Sequence, residues 1–168
     1  MKTISNIKLS KELEYHINNG ISLSECIFRY GSDKHLDIIN EARDLHNSGK
    51  LILEGRDKVI ASLKTGQKAM YKNKEVKLHL PQYDDGANKK FLVYLETDKK
   101  HENGLPIAKI QRFGDPNATI KNHDKKAADS FQARHNCDSK LDINSAGFWS
   151  CNIHIFADHL GLSSSRPW

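Results

Sequence analysis

Apolar residues recur at helical spacing most regularly through Leu36, Ile39, Ala42 and Leu45, with Asp37, Glu41, Arg43 and Asp44 on the other faces. This period predicts an amphipathic helix. Ser32-Asp33 supplies its N-cap and Ser48-Gly49 its stop. Residues 8–19 predict a shorter helix with a less regular apolar face, ended by Asn18-Asn19-Gly20. Ser22-Leu23-Ser24-Glu25 has capping-box spacing, so a helical turn carrying Cys26, Ile27 and Phe28 is expected until Gly31 interrupts it. A further short helix is expected over residues 57–63, ending at Thr65-Gly66.

The period then changes from helix to strand. Val76, Leu78 and Leu80 alternate with Glu75, Lys77 and His79, and Lys72-Asn73-Lys74 turns the chain back from Ala69-Met70-Tyr71. Pro81 stops that strand, and residues 82–90 have neither period nor apolar content and read as a linker. Phe91-Leu92-Val93-Tyr94-Leu95 is apolar on both parities, which predicts a strand covered on both faces. The polar turn over residues 99–104 pairs it with a strand over residues 107–113. Beyond the Gly114-Asp115-Pro116-Asn117 turn, Asn122-His123-Asp124 is expected to cap a helix through Ala127, Ala128, Phe131 and Ala133. A short strand over residues 146–150 and a closing helix over residues 155–160, ended by Gly161, complete the chain. The sum is an α+β protein: an N-terminal helical and hairpin portion over residues 1–81, a linker, and a small β-hairpin and helix module over residues 91–168.

Composition changes this picture little. The chain has 168 residues, 38 % of them hydrophobic and 28 % charged, which fits a globular domain with a sizeable core. No apolar run reaches membrane-spanning length, and the first residues lack a signal-peptide hydrophobic region, so action inside a cell or particle is expected. Charge adds more. The formal net charge is +5, and residues 99–140 hold nine Lys/Arg against five Asp/Glu. That local excess favours an acidic partner, nucleic acid or an acidic protein surface, although no block of five like charges occurs. Lys109, Arg112, Lys121, Lys125, Lys126 and Arg134 are the candidate contacts, with Trp168 as an aromatic that needs a docking site.

The candidate chemistry lies in His135-Asn136-Cys137 and Cys151-Asn152-Ile153-His154, two close-spaced ligand pairs on either side of a connecting loop. Imidazole and thiolate together suit Zn²⁺ in a tetrahedral structural site, where the metal would staple a short hairpin to a helix. The residues leave two other outcomes open, a Cys137–Cys151 disulfide and buried free thiols. Three cysteines do not make a secreted disulfide framework, which points to a reducing compartment. A cysteine nucleophile with His135 as base and Asp138 or Asp142 behind it fits poorly, because adjacent Cys/His pairs do not face one another across a cleft. A metal-dependent nuclease is the stronger enzyme reading. A hairpin, a helix and histidines beside basic sequence loosely resemble ββα-metal nucleases, yet their His-Asn-His spacing is absent.

Three stretches resemble the C-terminal half of a family of small proteins of tailed bacteriophages, especially large T4-like and marine myoviruses: residues 109–115, residues 130–138 with Arg134-His135-Asn136-Cys137, and Gly147-Phe148-Trp149-Ser150-Cys151. Residues 21–32 resemble that family's N-terminal half. The resemblance implies a phage origin rather than a mechanism, and it admits His159, His123 or Asp138 in place of His154 as the fourth ligand. It leads to a virion-associated structural or accessory protein that contacts other phage proteins or packaged DNA. A non-virion nucleic-acid or host-factor binder is the alternative, and a metal-dependent nuclease the second. Ile52-Leu53-Glu54-Gly55 also resembles the cleavage consensus of T4-like head-maturation proteases, which would place a processing point near Glu54.

Overall fold

The computed structural model describes residues 1–3, 7–86, 88–118 and 125–162 and has an α+β architecture. The chain runs through β1 (Lys2–Thr3), α1 (Lys11–Asn18), α2 (Asp33–Asn47), β2 (Leu51–Ile52) and α3 (Gly55–Ser62). It continues through β3 (Lys68–Tyr71), β4 (Lys74–Lys77), β5 (Gln82–Tyr83), β6 (Phe91–Lys100) and β7 (Pro106–Phe113). It closes with α4 (Lys125–His135), a 3₁₀ turn Cys137–Ser139, α5 (Ala146–Asn152) and a second 3₁₀ turn Ile153–Phe156. The second helix starts at the expected cap, the Ser32 side chain accepting from the His35 amide, and the first starts at Ser10, a cap that the sequence reading did not single out, which accepts from the Leu13 amide.

In α2 the buried stripe is His35, Ile38, Ile39 and Ala42, while Leu36 is exposed. The apolar face is therefore rotated from the expected one. It includes a histidine that occupies the first position of an i, i+3, i+4, i+7 series. The helical turn expected to carry Cys26, Ile27 and Phe28 does not form, and only a single turn closed by the Glu25 amide on the Ser22 carbonyl follows Ser22. Ser22 Oγ donates to the Asp57 carboxylate at 2.6 Å, and the same oxygen accepts from the Leu23 amide at 2.8 Å. Ser22 Oγ accepts from the Ser24 amide at 3.2 Å, while the Glu25 amide, which a capping box would direct to that hydroxyl, bonds the Ser22 carbonyl.

The five-stranded sheet has the order β4-β3-β7-β6-β5, antiparallel throughout except between β3 and β7. Lys72 and Asn73, both at positive φ, turn β3 into β4. Leu78 then bonds back to Gly66 and Gln67, and the His79 amide reaches the Tyr94 carbonyl of β6. One two-residue step thus touches both sides of the sheet, which must curl. His79 makes the bend in the left-handed region at φ 51. The stretch expected as a linker is part of this sheet: Gln82 and Tyr83 are β5, and the Asp84 amide bonds the Lys90 carbonyl. Because β3 pairs with β7 and one core cluster draws residues from Leu13 to Leu160, the two expected portions are packed as one body.

That core centres on Trp149, fully buried between Phe113, Phe148 and Phe156, with its indole N–H donated to the Ile143 carbonyl at 2.7 Å. Phe91, Val93 and Leu95 enter it from one face of β6. On the opposite face Tyr94 packs with Ala69, Leu78 and Ala108 in a smaller cluster. The segment expected as a strand at 146–150 is α5, opened by Ser145, whose hydroxyl accepts from the Phe148 amide. A short apolar run has no period of its own, and this cap decides its form. The closing helix is reduced to the 3₁₀ turn Ile153–Phe156 and a following turn. The expected cap at residues 122–124 lies outside the described residues. Ile52 ends β2, Leu53 is buried and Gly55 begins α3, so cleavage at Glu54 would require local unfolding.

Candidate functional site

α4, α5 and the 3₁₀ turn between them converge on Arg56, the second residue of α3. Its side chain is only 12 % exposed. Nε donates to Asn152 Oδ1 at 2.9 Å, Nη2 to the Cys151 carbonyl at 2.8 Å and Nη1 to Gln132 Oε1 at 3.3 Å. Asn152 is itself oriented, because its Nδ2 donates to the Phe148 carbonyl at 2.8 Å. The guanidinium thus ties α3 to α4 and α5 through neutral oxygens. Asp138 is an ion-pair partner at 3.7 Å but is 96 % exposed. Burial pushes the Arg56 pKa down, against the charges of Asp138, Glu25 and Asp57 that hold it up.

Arg56 forms one wall of a cavity of about 360 Å³ whose other walls include Glu25, Tyr30, Asp129, Asp138 and His154. Burial holds the Tyr30 phenol protonated, with its pKa pushed up to about 12. His154 Nε2 lies 2.6 Å from the Ser24 carbonyl, and burial lowers its pKa to about 3. The walls therefore combine the Arg56 guanidinium and the acidic side chains of Glu25, Asp129 and Asp138 with a neutral imidazole and a neutral phenol. The imidazole is engaged as a donor and too weak a base to take a proton near neutrality. This chemistry can hold polar or zwitterionic groups; a nucleophile next to a general base is not among the cavity's described side chains.

Of the four expected metal ligands, the structure brings two together. Cys137 and Cys151 are joined as a disulfide with Cα atoms 5.5 Å apart, and both are buried. The bond pins the 3₁₀ turn after α4 to α5, beside the carbonyl that Arg56 holds. His154 turns away toward Ser24, and His135 ends α4 exposed, its ring 4.3 Å from that of Phe131. Sulfurs bonded to each other are not thiolates, and among the described residues no three His, Cys, Asp or Glu side chains are grouped to hold a metal. The zinc set read from the spacing is thus not assembled in this arrangement. The staple is covalent.

The expected contact residues divide between two elements. Lys109 is exposed on β7, and Arg112 on the same strand donates to Asp84 at 2.7 Å. Lys126 and Arg134 are exposed on α4, Arg134 donating weakly to its own helix at the Ser130 carbonyl. Lys125 is the first residue of α4. Lys121 and Trp168 lie outside the described residues. Sequence reading missed Arg56, which carries no local signal because its partners sit 76 to 96 positions further along the chain. It also missed three buried histidines, His16, His35 and His79, and read a fourth, His154, as a metal ligand. For His35 the signal was present in the spacing to Ile38, Ile39 and Ala42. Comparison with family models, curated proteins and solved structures finds no match to this chain.

Proposed function

We propose that the chain is a virion-associated structural or accessory protein of a tailed bacteriophage, a rigid body that contacts other phage proteins or packaged DNA. The observation that carries this reading is the Cys137–Cys151 disulfide. Such bonds persist in oxidising surroundings, virion surfaces among them, and are rare in proteins that work in a reducing cytosol. The expectation of a reducing compartment rested on the small number of cysteines; the pairing of two of them favours exposure to the extracellular medium. Two of the stretches that resemble phage proteins, residues 130–138 and 147–151, contain the paired cysteines. Arg56 and the disulfide together fasten α4 and α5 to the main core, which suits a part that must keep its shape outside a host. Exposed Lys109, Lys126 and Arg134 offer phosphate contacts of the sequence-independent kind.

Mass spectrometry of purified particles, digested without reduction, tests the proposal. The expected result is the chain itself together with a peptide pair linked through Cys137 and Cys151. Absence of the protein from particles, or its presence only in host lysate with both thiols free, overturns it. The second outcome would support a binder working in the host cytoplasm.

A further inference from the structure

The segment over residues 22–32 contains no helix or strand, yet Leu23, Ser24, Cys26, Tyr30 and Gly31 are buried. What holds it is a set of side chains from other elements. Asp57 of α3 accepts from Ser22 Oγ and the Leu23 amide. Arg29 forms a two-pronged ion pair with Asp158. His35, fully buried at the start of α2, grips the segment at both ends. The Gly31 amide donates to His35 Nδ1 at 3.1 Å, and His35 Nε2 lies 3.0 Å from the Leu23 carbonyl. Since Nδ1 accepts, the ring proton is on Nε2 and is donated to Leu23. Both bonds exist only for the neutral ring in that tautomer. A second proton would turn Nδ1 into a donor aimed at the Gly31 N–H, with a charge buried beside it.

We infer that His35 is an acid-operated latch: its protonation releases residues 22–32 and opens the Arg56 cavity, of which Ser24, Glu25 and Tyr30 form one side. The groups around it do not supply the counter-charge that would keep a protonated ring in place. His16 of α1 opposes the proton, and Tyr30 stands edge-on at 5.7 Å between His35 and His154. Arg56 is a cation acting on His154, while the Asp57 carboxylate acts on His16 and is already engaged with the segment. Burial lowers the His35 pKa to about 4.

Cys26 provides a reporter inside the latch. It is buried in the segment and is the free cysteine of the chain. Its rate of reaction with 4,4′-dithiodipyridine, divided by that of N-acetylcysteine at the same pH, measures how often the segment opens. With a ring that titrates near 6.5 when released and near 4 when latched, the normalised rate is expected to rise about 30-fold between pH 8 and pH 5. Amide protection of β6 residues Val93 and Leu95 should stay above that of residues 22–32 over that range. In His35→Gln, whose amide does not titrate, the rise should be clearly smaller than in wild type whatever the starting rate, the remainder belonging to His154, which is bonded to Ser24 of the same segment. A flat wild-type curve, a rise that coincides with loss of β6 protection, or a His35→Gln curve as steep as wild type would overturn the inference. Should that variant not fold, ¹⁵N-histidine spectra of the unmodified protein decide: a His35 ring protonated below pH 5 with residues 22–32 still protected is equally fatal.

Discussion

Replacing Cys137 and Cys151 together by alanine removes the covalent staple while leaving the surrounding carbonyls and amides in place. Alanine is preferable to serine because a buried hydroxyl without a partner adds a penalty of its own. The bond closes a loop with a sequence separation of 14. The chain entropy it removes from the unfolded state corresponds to about 3 kcal/mol for a loop of about 15 residues. With a urea slope of about 2 kcal/mol/M, the midpoint of unfolding should fall by about 1.5 M with the slope little changed. Far-UV circular dichroism at low denaturant should match the parent, since Arg56 still ties α3 to α4 and α5 through Gln132, Asn152 and the Cys151 carbonyl. A midpoint displaced by less than about 0.5 M would refute the entropic reasoning, because it means that residues 137–151 are already constrained in the unfolded chain. Collapse of the whole sheet would refute it from the other side, by showing that the bond holds the fold and not one module.

Three further outcomes follow from the same packing. His35, His79 and His154 are buried neutral with pKa values lowered by desolvation to about 4, 4 and 3, whereas the unfolded chain titrates near 6.5. The unfolded state therefore binds more protons, and stability is complete above about pH 6.5 and lost as pH falls toward 4. Unfolding free energies from urea titrations at pH 7.5 and 5 should differ by about 2 kcal/mol per histidine, and a stability-pH slope corresponding to uptake of less than one proton on unfolding across that window contradicts the buried neutral rings. Arg56→Met keeps the apolar stem but strands Asn152 Oδ1 and the Cys151 carbonyl; a loss of about 2–4 kcal/mol is expected in chemical denaturation, and unchanged stability would remove Arg56 as the hub. Gly31 sits at φ 73, and a Cβ there would lie 2.7 Å from the Ile155 carbonyl oxygen. Gly31→Ala should therefore lower the melting temperature by several degrees, through a cost of at least about 1–3 kcal/mol, while Gly49→Ala, which shares the positive φ but meets nothing, should cost less.

The sequence by itself determined the α+β class, the presence of α1, the α2 helix capped by Ser32, the Lys72-Asn73 turn and the long hairpin of β6 and β7. Each of these rests on spacing or turn chemistry within a dozen or so residues, where local preference and tertiary packing agree. What only the tertiary structure decided has partners far along the chain. Asp57 holds Ser22 and the Leu23 amide in a segment that the capping-box spacing read as helical; the Ser145 cap and the packing of Phe148 and Trp149 made a helix of an apolar run with no period. The same holds at the candidate site. The spacing of His135, Cys137, Cys151 and His154 was equally compatible with a metal and with a disulfide, because spacing counts residues and not directions. Packing aimed the two sulfurs at each other, one imidazole at Ser24 and the other outward. Arg56 and His35 work by bonds that reach across the fold, and a linear pattern holds no record of which distant oxygen or amide will stand within 3 Å of a side chain.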